Sequence, residues 1–113
     1  MKLLSIVALA AMATTASAQR PEWRARFYTR TGTSGGSFVD DRRTTSTACV
    51  NLASDALSMR FEAGVATDAI DVYTGTGCTG TTAHYVGTTT VNNFAAAAPA
   101  GVGAAVKSYQ VTV

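Results

Sequence analysis

Several residue types and patterns that carry protein chemistry are scarce or missing in this chain of 113 residues. It has one histidine, one tryptophan, two prolines and two cysteines. Its nine basic and seven acidic side chains give a net charge of +2, which is too small and too scattered for a nucleic-acid footprint. The length allows one small domain and excludes a cofactor domain joined to a substrate domain.

Catalytic patterns are missing as well. His84 is the single candidate general base, its neighbours Thr82 and Tyr85 predict a strand, and no Gly-x-Ser-x-Gly elbow is present. Asp68 and Asp71 are three residues apart, but paired carboxylates for glycoside hydrolysis need a cleft that a domain this small rarely contains. We therefore expect a non-enzymatic protein with no cofactor and with His84 on a surface or edge strand.

The N-terminus carries the pattern of a secretory signal peptide rather than that of a buried helix. Lys2 gives a positive start, residues 3–12 are apolar, and residues 16–18 (Ala-Ser-Ala) match the small-x-small cleavage pattern. The apolar stretch is too short for a membrane span of about 20 residues. Removing residues 1–18 leaves 19–113, with eight basic and seven acidic side chains and a net charge of +1. We expect a secreted, extracellular monomer with no membrane span.

Two cysteines in a small secreted chain most simply form one disulfide, here between Cys49 and Cys78. Closing this loop would stabilise the domain by about 3–4 kcal/mol in the entropic view. A pair of free thiols is one alternative, and a metal site completed by His84 is another. The secreted context and the lack of a second histidine favour the disulfide. No asparagine is followed two residues later by serine or threonine, so there is no N-glycosylation acceptor.

What the chain does contain predicts an all-β domain. Sixteen of the residues 19–113 are threonine, and all ten glycines lie in this part; threonine favours strands and glycine favours turns. Apolar and polar residues alternate in four stretches that predict half-buried strands, namely 23–27, 57–61, 70–73 and 106–111. The alanine run at 95–98, followed by proline and glycine, predicts a loop. The predicted core consists of Leu52, Leu57, Met59, Phe61, Val65, Ile70, Val72, Tyr85, Val106, Tyr109 and Val111.

An internal repeat divides the predicted domain into two units. Residues 28–35 (YTRTGTSG) align with residues 73–80 (YTGTGCTG), and five of the eight positions are identical. Residues 58–61 align with residues 108–111 near the end of each unit. The units span about 24–61 and 70–111. Each is too small to bury an apolar face alone, so we expect them to pack together as a sandwich of two Greek keys.

This repeat resembles the β/γ-crystallin Greek-key motif, which has an aromatic residue at the end of its first strand and a glycine seven residues later. Tyr28 and Gly35 match these positions in the first unit, and Tyr73 and Gly80 match them in the second. Ser58 and Ser108 look like the serine of the family's final strand. The resemblance implies an all-β, single β-sandwich domain of two Greek keys, similar to small secreted microbial proteins, and the style of the sequence suggests a fungus.

The resemblance also implies where the two cysteines lie in the fold and which residues correspond to the family's calcium site. In the crystallin arrangement the third strand of each motif joins the sheet of the other motif. Cys49 would lie on that strand of the first unit and Cys78 on the folded hairpin of the second, which could bring the two sulfurs together. The calcium-binding stretch corresponds to residues 54–58, with Asp55 as its one carboxylate, and to residues 104–108, which carry Lys107. Calcium prefers more oxygen ligands, so we expect no strong metal site.

Two charged stretches have solvent-exposed interpretations. Residues 40–45 (DDRRTT) predict a solvated turn. Residues 20–30 combine four arginines with Trp23, Phe27 and Tyr28 and could contact a polyanion, although alternating Arg24 and Arg26 equally fit the outer face of a strand. We favour the strand interpretation and expect no nucleic-acid partner.

The remaining function is binding to an unknown extracellular partner, such as a microbial or host surface or a protease. An antimicrobial or killer-toxin-like protein, or a host-directed effector, is the first hypothesis. A proteinase inhibitor acting through the loop 95–103 is the second, and a structural or storage protein is the third. No residue in the sequence identifies the ligand.

Overall fold

A computed structural model describes residues 20–113; the signal peptide predicted at 1–18 lies outside the described residues. The fold is all-β, with eight strands and no α-helix between residues 20 and 113. A short 3-10 turn at Thr31–Thr33 follows the first strand. The strands are β1 (Trp23–Tyr28), β2 (Val39–Arg43), β3 (Val50–Ala56), β4 (Ser58–Glu62), β5 (Ala69–Tyr73), β6 (Thr82–Val86), β7 (Thr89–Val91) and β8 (Val106–Thr112).

The strands form two four-stranded antiparallel sheets, ordered β2-β1-β4-β7 and β3-β8-β5-β6. We call these the first and second sheets. Three of the first four strands lie in the first sheet, and three of the last four lie in the second. The third strand of each group, β3 or β7, pairs with the last strand of the other group. Neither half of the chain can therefore complete its sheet alone.

A single hydrophobic cluster fills the space between the sheets. Aromatic rings dominate it: the Phe27 and Tyr109 centroids lie 4.7 Å apart across the two sheets, and those of Trp23 and Phe61 lie 6.2 Å apart. All four side chains are almost completely buried. Removing one such side chain from water contributes about 1.5–3 kcal/mol, so this packing is the main link between the sheets.

The four alternating stretches are strands β1, β4, β5 and β8, as predicted. Each aims its apolar positions into the cluster, because successive side chains on a strand point to opposite faces. Seven of the predicted core residues are buried, whereas Leu52, Leu57 and Tyr85 are half-buried. The prediction for Val65 was wrong: its side chain is 40% exposed, because it lies in the turn between β4 and β5. The buried residues that the prediction missed include Trp23, Phe27, Ala56, Val91 and Phe94.

The prediction of a turn at residues 40–45 was also wrong, because Val39–Arg43 forms the edge strand β2. Its inward positions carry Asp41 and Arg43 instead of apolar residues, which hid the strand pattern. Both lie at the open edge of the sandwich, where Asp41 accepts a hydrogen bond of 2.6 Å from the Tyr109 hydroxyl and binds Arg43 at 2.9 Å. Burial, and then this hydrogen bond, raise the pKa of the Tyr109 phenol.

The alanine-rich segment is a loop, as predicted. Phe94 anchors it in the core, and its amide donates to the Leu57 carbonyl at 2.8 Å. The Gly101 amide donates to the Ala97 carbonyl at 3.2 Å and closes a compact turn at the tip. Between residues 20 and 113 there is no helix long and apolar enough to cross a membrane.

Candidate functional site

Candidate binding residues lie on the outer surfaces of this domain. Between residues 20 and 113 there is no enclosed pocket and no group of three histidine, cysteine or acidic side chains placed to hold a metal ion. The two broad surfaces available are the outer faces of the two sheets. They differ sharply in charge.

The outer face of the first sheet carries six charged side chains, which we call the arginine ladder. They arise because β1, β2 and β4 place alternate residues on the solvent side while Trp23, Ala25 and Phe27 point inward. The strand register sets them side by side: Arg24 lies opposite Arg42 and Glu62, and Arg26 lies opposite Asp40 and Arg60. The ladder consists of Arg24, Arg26, Asp40, Arg42, Arg60 and Glu62.

One carboxylate of the ladder, that of Asp40, forms a bidentate ion pair with Arg24. Arg24 donates from Nε to Asp40 Oδ1 and from Nη2 to Oδ2, both at 2.8 Å. This paired geometry is the strongest form of arginine–carboxylate contact. The hydrogen bond lowers the pKa of the Asp40 carboxyl to about 2 and raises the pKa of Arg24. Arg42 approaches the same carboxylate only to 3.7 Å.

The other carboxylate, Glu62, is shared by two arginines. Arg26 Nη2 lies 2.5 Å from Glu62 Oε1, and Arg60 Nε lies 3.3 Å from the same oxygen. Arg60 also donates from Nη1 to the Thr90 hydroxyl at 2.7 Å. Buried Arg26 Nε has no hydrogen-bond partner among the described residues. Among the exposed guanidinium groups, that of Arg42 is not hydrogen-bonded to either carboxylate of the ladder.

Positive charge is concentrated on this one face. Four arginines and two carboxylates give the ladder a formal charge of +2. Elsewhere in residues 20–113 four basic side chains stand against five acidic ones, a formal charge of −1. The two arginines nearest the lateral borders of the ladder are also the most accessible, with Arg42 at 52% and Arg60 at 42% side-chain exposure. They are the groups best placed to contact a partner.

The second sheet carries fewer charged side chains than the first: exposed Asp55 on β3, exposed Lys107 on β8, and one pair on β5 and β6. Asp71 is paired there with exposed His84, and His84 Nδ1 lies 2.6 Å from Asp71 Oδ1. His84 is on the edge strand β6, as predicted. Around this pair the cross-strand neighbours are Ala69, Val86, Gln110 and Thr112.

The repeat residues of the first unit (Tyr28, Gly35 and Ser58) surround one hairpin, residues 29–38, which we call hairpin one. Tyr28 ends β1 and is buried, and Gly35 has a φ of +73°. The Ser58 hydroxyl donates to the Arg30 carbonyl at 2.5 Å and accepts from the Thr33 amide at 3.0 Å. The serine therefore fastens hairpin one to β4.

The second unit repeats this arrangement in hairpin two, residues 74–81. Tyr73 ends β5 and is half-buried, and Gly80 has a φ of +84°. The Ser108 hydroxyl donates to the Gly75 carbonyl at 2.6 Å and accepts from the Cys78 amide at 2.9 Å. These two contacts correspond to those in hairpin one: Gly75 takes the place of Arg30 and Cys78 the place of Thr33, as in the sequence alignment.

The disulfide between Cys49 and Cys78 is present, as predicted, with the two Cα atoms 5.9 Å apart. Cys49 immediately precedes β3, and Cys78 lies in hairpin two, so the bond ties a strand from the first half of the chain to a hairpin of the second. Thr33 holds the position of Cys78 in hairpin one, and both residues have positive φ, +52° and +57°. The bond is compatible with an extracellular protein.

The remaining candidate residues do not form a joint site. Asp68 is almost fully buried, where it accepts the amides of Gly64 and Val65 at 2.9 Å and binds Arg20 at 2.6 Å. It therefore organises the turn between β4 and β5, while Asp71 faces solvent on the second sheet. Asp55 is exposed on β3.

Sequence reasoning placed Arg24 and Arg26 on an outer strand face but missed the ladder as a whole. Arg60 was visible as a polar member of the alternating stretch 57–61, but Glu62 lies just outside that stretch. Asp40 and Arg42 were not visible, because β2 lacks apolar alternation. Comparisons of the chain with protein-family models, with curated proteins and with solved structures find no match.

Proposed function

We propose that this domain is a double Greek key of the β/γ-crystallin type. The exchange of β3 and β7 between the sheets supports it. So do the matching tyrosines, the positive-φ glycines and the hydroxyl contacts of Ser58 and Ser108. These features recur in the same order in both units, the tyrosines and glycines 45 residues apart and the serines 50 residues apart, and this supports duplication of one unit.

We further propose that the protein is secreted and acts without catalysis, by binding an extracellular surface, as an antimicrobial protein or a host-directed effector does. The observation that carries this proposal is the arginine ladder, a sheet face with a formal charge of +2 on a domain that is otherwise close to neutral. Charge complementarity speeds encounter with an oppositely charged surface and selects against wrong partners. Microbial and host cell surfaces both carry anionic polymers.

Protease inhibition receives less support. An inhibitory loop has to present an extended segment that is held ready for the protease. The tip of the loop 95–103 is instead closed by the bond between the Gly101 amide and the Ala97 carbonyl. A storage role has no particular residue or contact in its favour.

The proposal is tested by binding of the labelled, processed protein to intact microbial and host cells. The test variant is Arg42→Gln/Arg60→Gln, which removes two ladder charges. The matched control is Arg43→Gln/Lys107→Gln, which removes two exposed charges outside the ladder. We expect the wild-type protein and the control to bind cells of at least one kind and the ladder variant to lose most of that binding. Failure of the wild-type protein to bind any cell, or equal loss in both variants, would overturn the proposal.

A further inference from the structure

The chemistry of the arginine ladder narrows the class of partner, and this inference rests on the proposed function. We propose that the ladder binds a linear anionic polysaccharide through its sulfate or carboxylate groups. Each guanidinium has five N–H donors arranged as a planar fork that matches such oxyanions. The guanidinium groups of Arg24, Arg26 and Arg60 together make five hydrogen bonds, to Asp40, Glu62 and Thr90. The guanidinium of Arg42, which is the most exposed of the four, makes no hydrogen bond to the described residues and is free for a ligand.

The spacing of the ladder suits a repeating anion. Arg42 and Arg24 are neighbours across β2 and β1, and Arg26 and Arg60 are neighbours across β1 and β4. Adjacent strands lie about 4.8 Å apart, and alternate residues along a strand lie about 6.8 Å apart. Arginine side chains that start from backbone positions at these intervals can reach acidic groups on successive sugar rings of an extended chain. The exposed hydroxyl of Thr90, which already contacts Arg60, adds a group that can bond a sugar hydroxyl.

The ladder has no platform for nucleic-acid bases. Proteins that bind single strands without sequence preference stack the bases on exposed aromatic side chains. Tyr28 is the aromatic residue on the same side of β1, and it is only 7% exposed. A polyanion recognised through its acidic groups alone therefore fits the ladder better than one recognised through its bases.

A membrane surface also fits poorly, because interfacial binding combines basic residues with an apolar surface that enters the lipid. The large apolar side chains exposed between residues 20 and 113 are Val65, Val86 and Val113. None belongs to the ladder: Val65 lies in the turn before β5, Val86 lies on the second sheet and Val113 ends the chain. The charged face and the exposed apolar groups are thus separate.

The test is direct binding of the processed protein to a panel of probes, measured by calorimetry at about 0.15 M salt, where screening acts over about 8 Å. The panel contains a sulfated polysaccharide, polygalacturonate, neutral dextran, a single-stranded oligonucleotide and phosphatidylserine vesicles. We expect binding to one or both anionic polysaccharides and none to dextran. Comparison of the first two probes decides whether sulfate or carboxylate is preferred.

The same variants locate the binding surface. Arg42→Gln/Arg60→Gln is expected to weaken polysaccharide binding by about tenfold or more, equivalent to 1.4 kcal/mol or more, while Arg43→Gln/Lys107→Gln changes it by less than about twofold. Arg42→Lys/Arg60→Lys keeps the positive charge but loses the planar guanidinium donors, so we expect an affinity between those of the wild-type protein and Arg42→Gln/Arg60→Gln. Unchanged circular dichroism and unfolding midpoints show that each variant is folded.

Three results would overturn the inference: no binding to either anionic polysaccharide, equal weakening by the ladder and control variants, or tighter binding to the oligonucleotide or the vesicles. Cell binding that depends on Arg42 and Arg60 but is accompanied by no polysaccharide binding would refute this inference alone and leave the proposed function standing. If the wild-type protein binds neither cells nor anionic polysaccharides, both this inference and the proposed function are refuted.

Discussion

The outer faces of the two sheets occupy equivalent places in the fold and carry different chemistry. Strand register relates the arginine ladder to a nearly neutral set on the second sheet: Arg24 corresponds to Ala69, Arg26 to Asp71, Asp40 to His84, Arg42 to Val86, Arg60 to Gln110 and Glu62 to Thr112. The hairpins beside these faces keep the same serine contacts and the same backbone conformations. Positions that hold the backbone are alike in both units, whereas positions that face solvent differ.

The hairpins themselves differ in how they are held. Hairpin two is bonded covalently to the start of β3 through Cys78. Hairpin one has Thr33 at that position and depends on noncovalent contacts, chiefly those of Ser58. Because of this difference, mutations can test the contribution of each hairpin to stability separately.

The largest expected effect comes from removing the covalent tie. Cys49→Ser/Cys78→Thr gives hairpin two the residue found in hairpin one, and we expect it to lower the free energy of unfolding by about 3–4 kcal/mol, because the unfolded chain gains the freedom of an open loop. Urea unfolding at 25 °C measures the change. Wild-type protein reduced with a dithiol is the control and should show a similar loss; an unchanged midpoint in both would contradict the prediction.

A smaller effect is expected at the paired glycines, and it should be unequal. In Gly35→Ala the new Cβ meets only Arg30 Cδ, at 3.8 Å, so the cost is the backbone term for positive φ, about 1–2 kcal/mol. In Gly80→Ala the Cβ would lie 2.6 Å from Thr74 Oγ1 and 3.0 Å from the Gly75 nitrogen, so the loss should be greater. Urea unfolding of both variants under oxidising conditions measures the difference. Equal losses, or a greater loss for Gly35→Ala, would show that hairpin two adjusts more easily than its contacts indicate.

The smallest effect concerns one carboxyl of the ladder. Because Arg24 lowers the pKa of Asp40 to about 2 from an ordinary value of 3.8, the pair contributes stability above pH 3.8 that is lost as the pH falls through about 2. Titration of the Asp40 carboxyl carbon by NMR should give a midpoint near 2 in the wild-type protein. Arg24→Gln should move it towards 3.8, and the control Arg43→Gln should leave it in place. A midpoint that Arg24→Gln does not move would refute the pairing.

Local patterns were sufficient for much of the fold. Four strands with an apolar inner face were predicted because Phe27, Met59, Ile70 and Tyr109 alternate with polar residues, and that alternation follows from strand geometry alone. The disulfide followed from the cysteine count. The patterns failed where burial came from a distant neighbour: Phe94 is buried in a loop, and no local period marks it.

The candidate site was less accessible to prediction. Arg60 could be placed on an outer strand face, but its neighbour Glu62 and their shared contact with Arg26 could not, since Arg26 reaches Glu62 from 36 residues away. β2 was missed because its inward residues, Asp41 and Arg43, satisfy each other at the open edge of the sandwich. An edge strand can place charged side chains inward where a central strand cannot.

By itself the sequence determined the all-β class, four of the strands, the loop at residues 95–98 and the pairing of Cys49 with Cys78, because alternation, glycine and proline content and cysteine number are local or composition-level properties. Only the tertiary structure decided which charges share a face. Arg24 meets Asp40 sixteen residues away, and this distance is closed by the strand register, which follows from the packing of the whole core. The concentration of positive charge on one sheet, which carries the proposed function, is therefore a property of the folded domain.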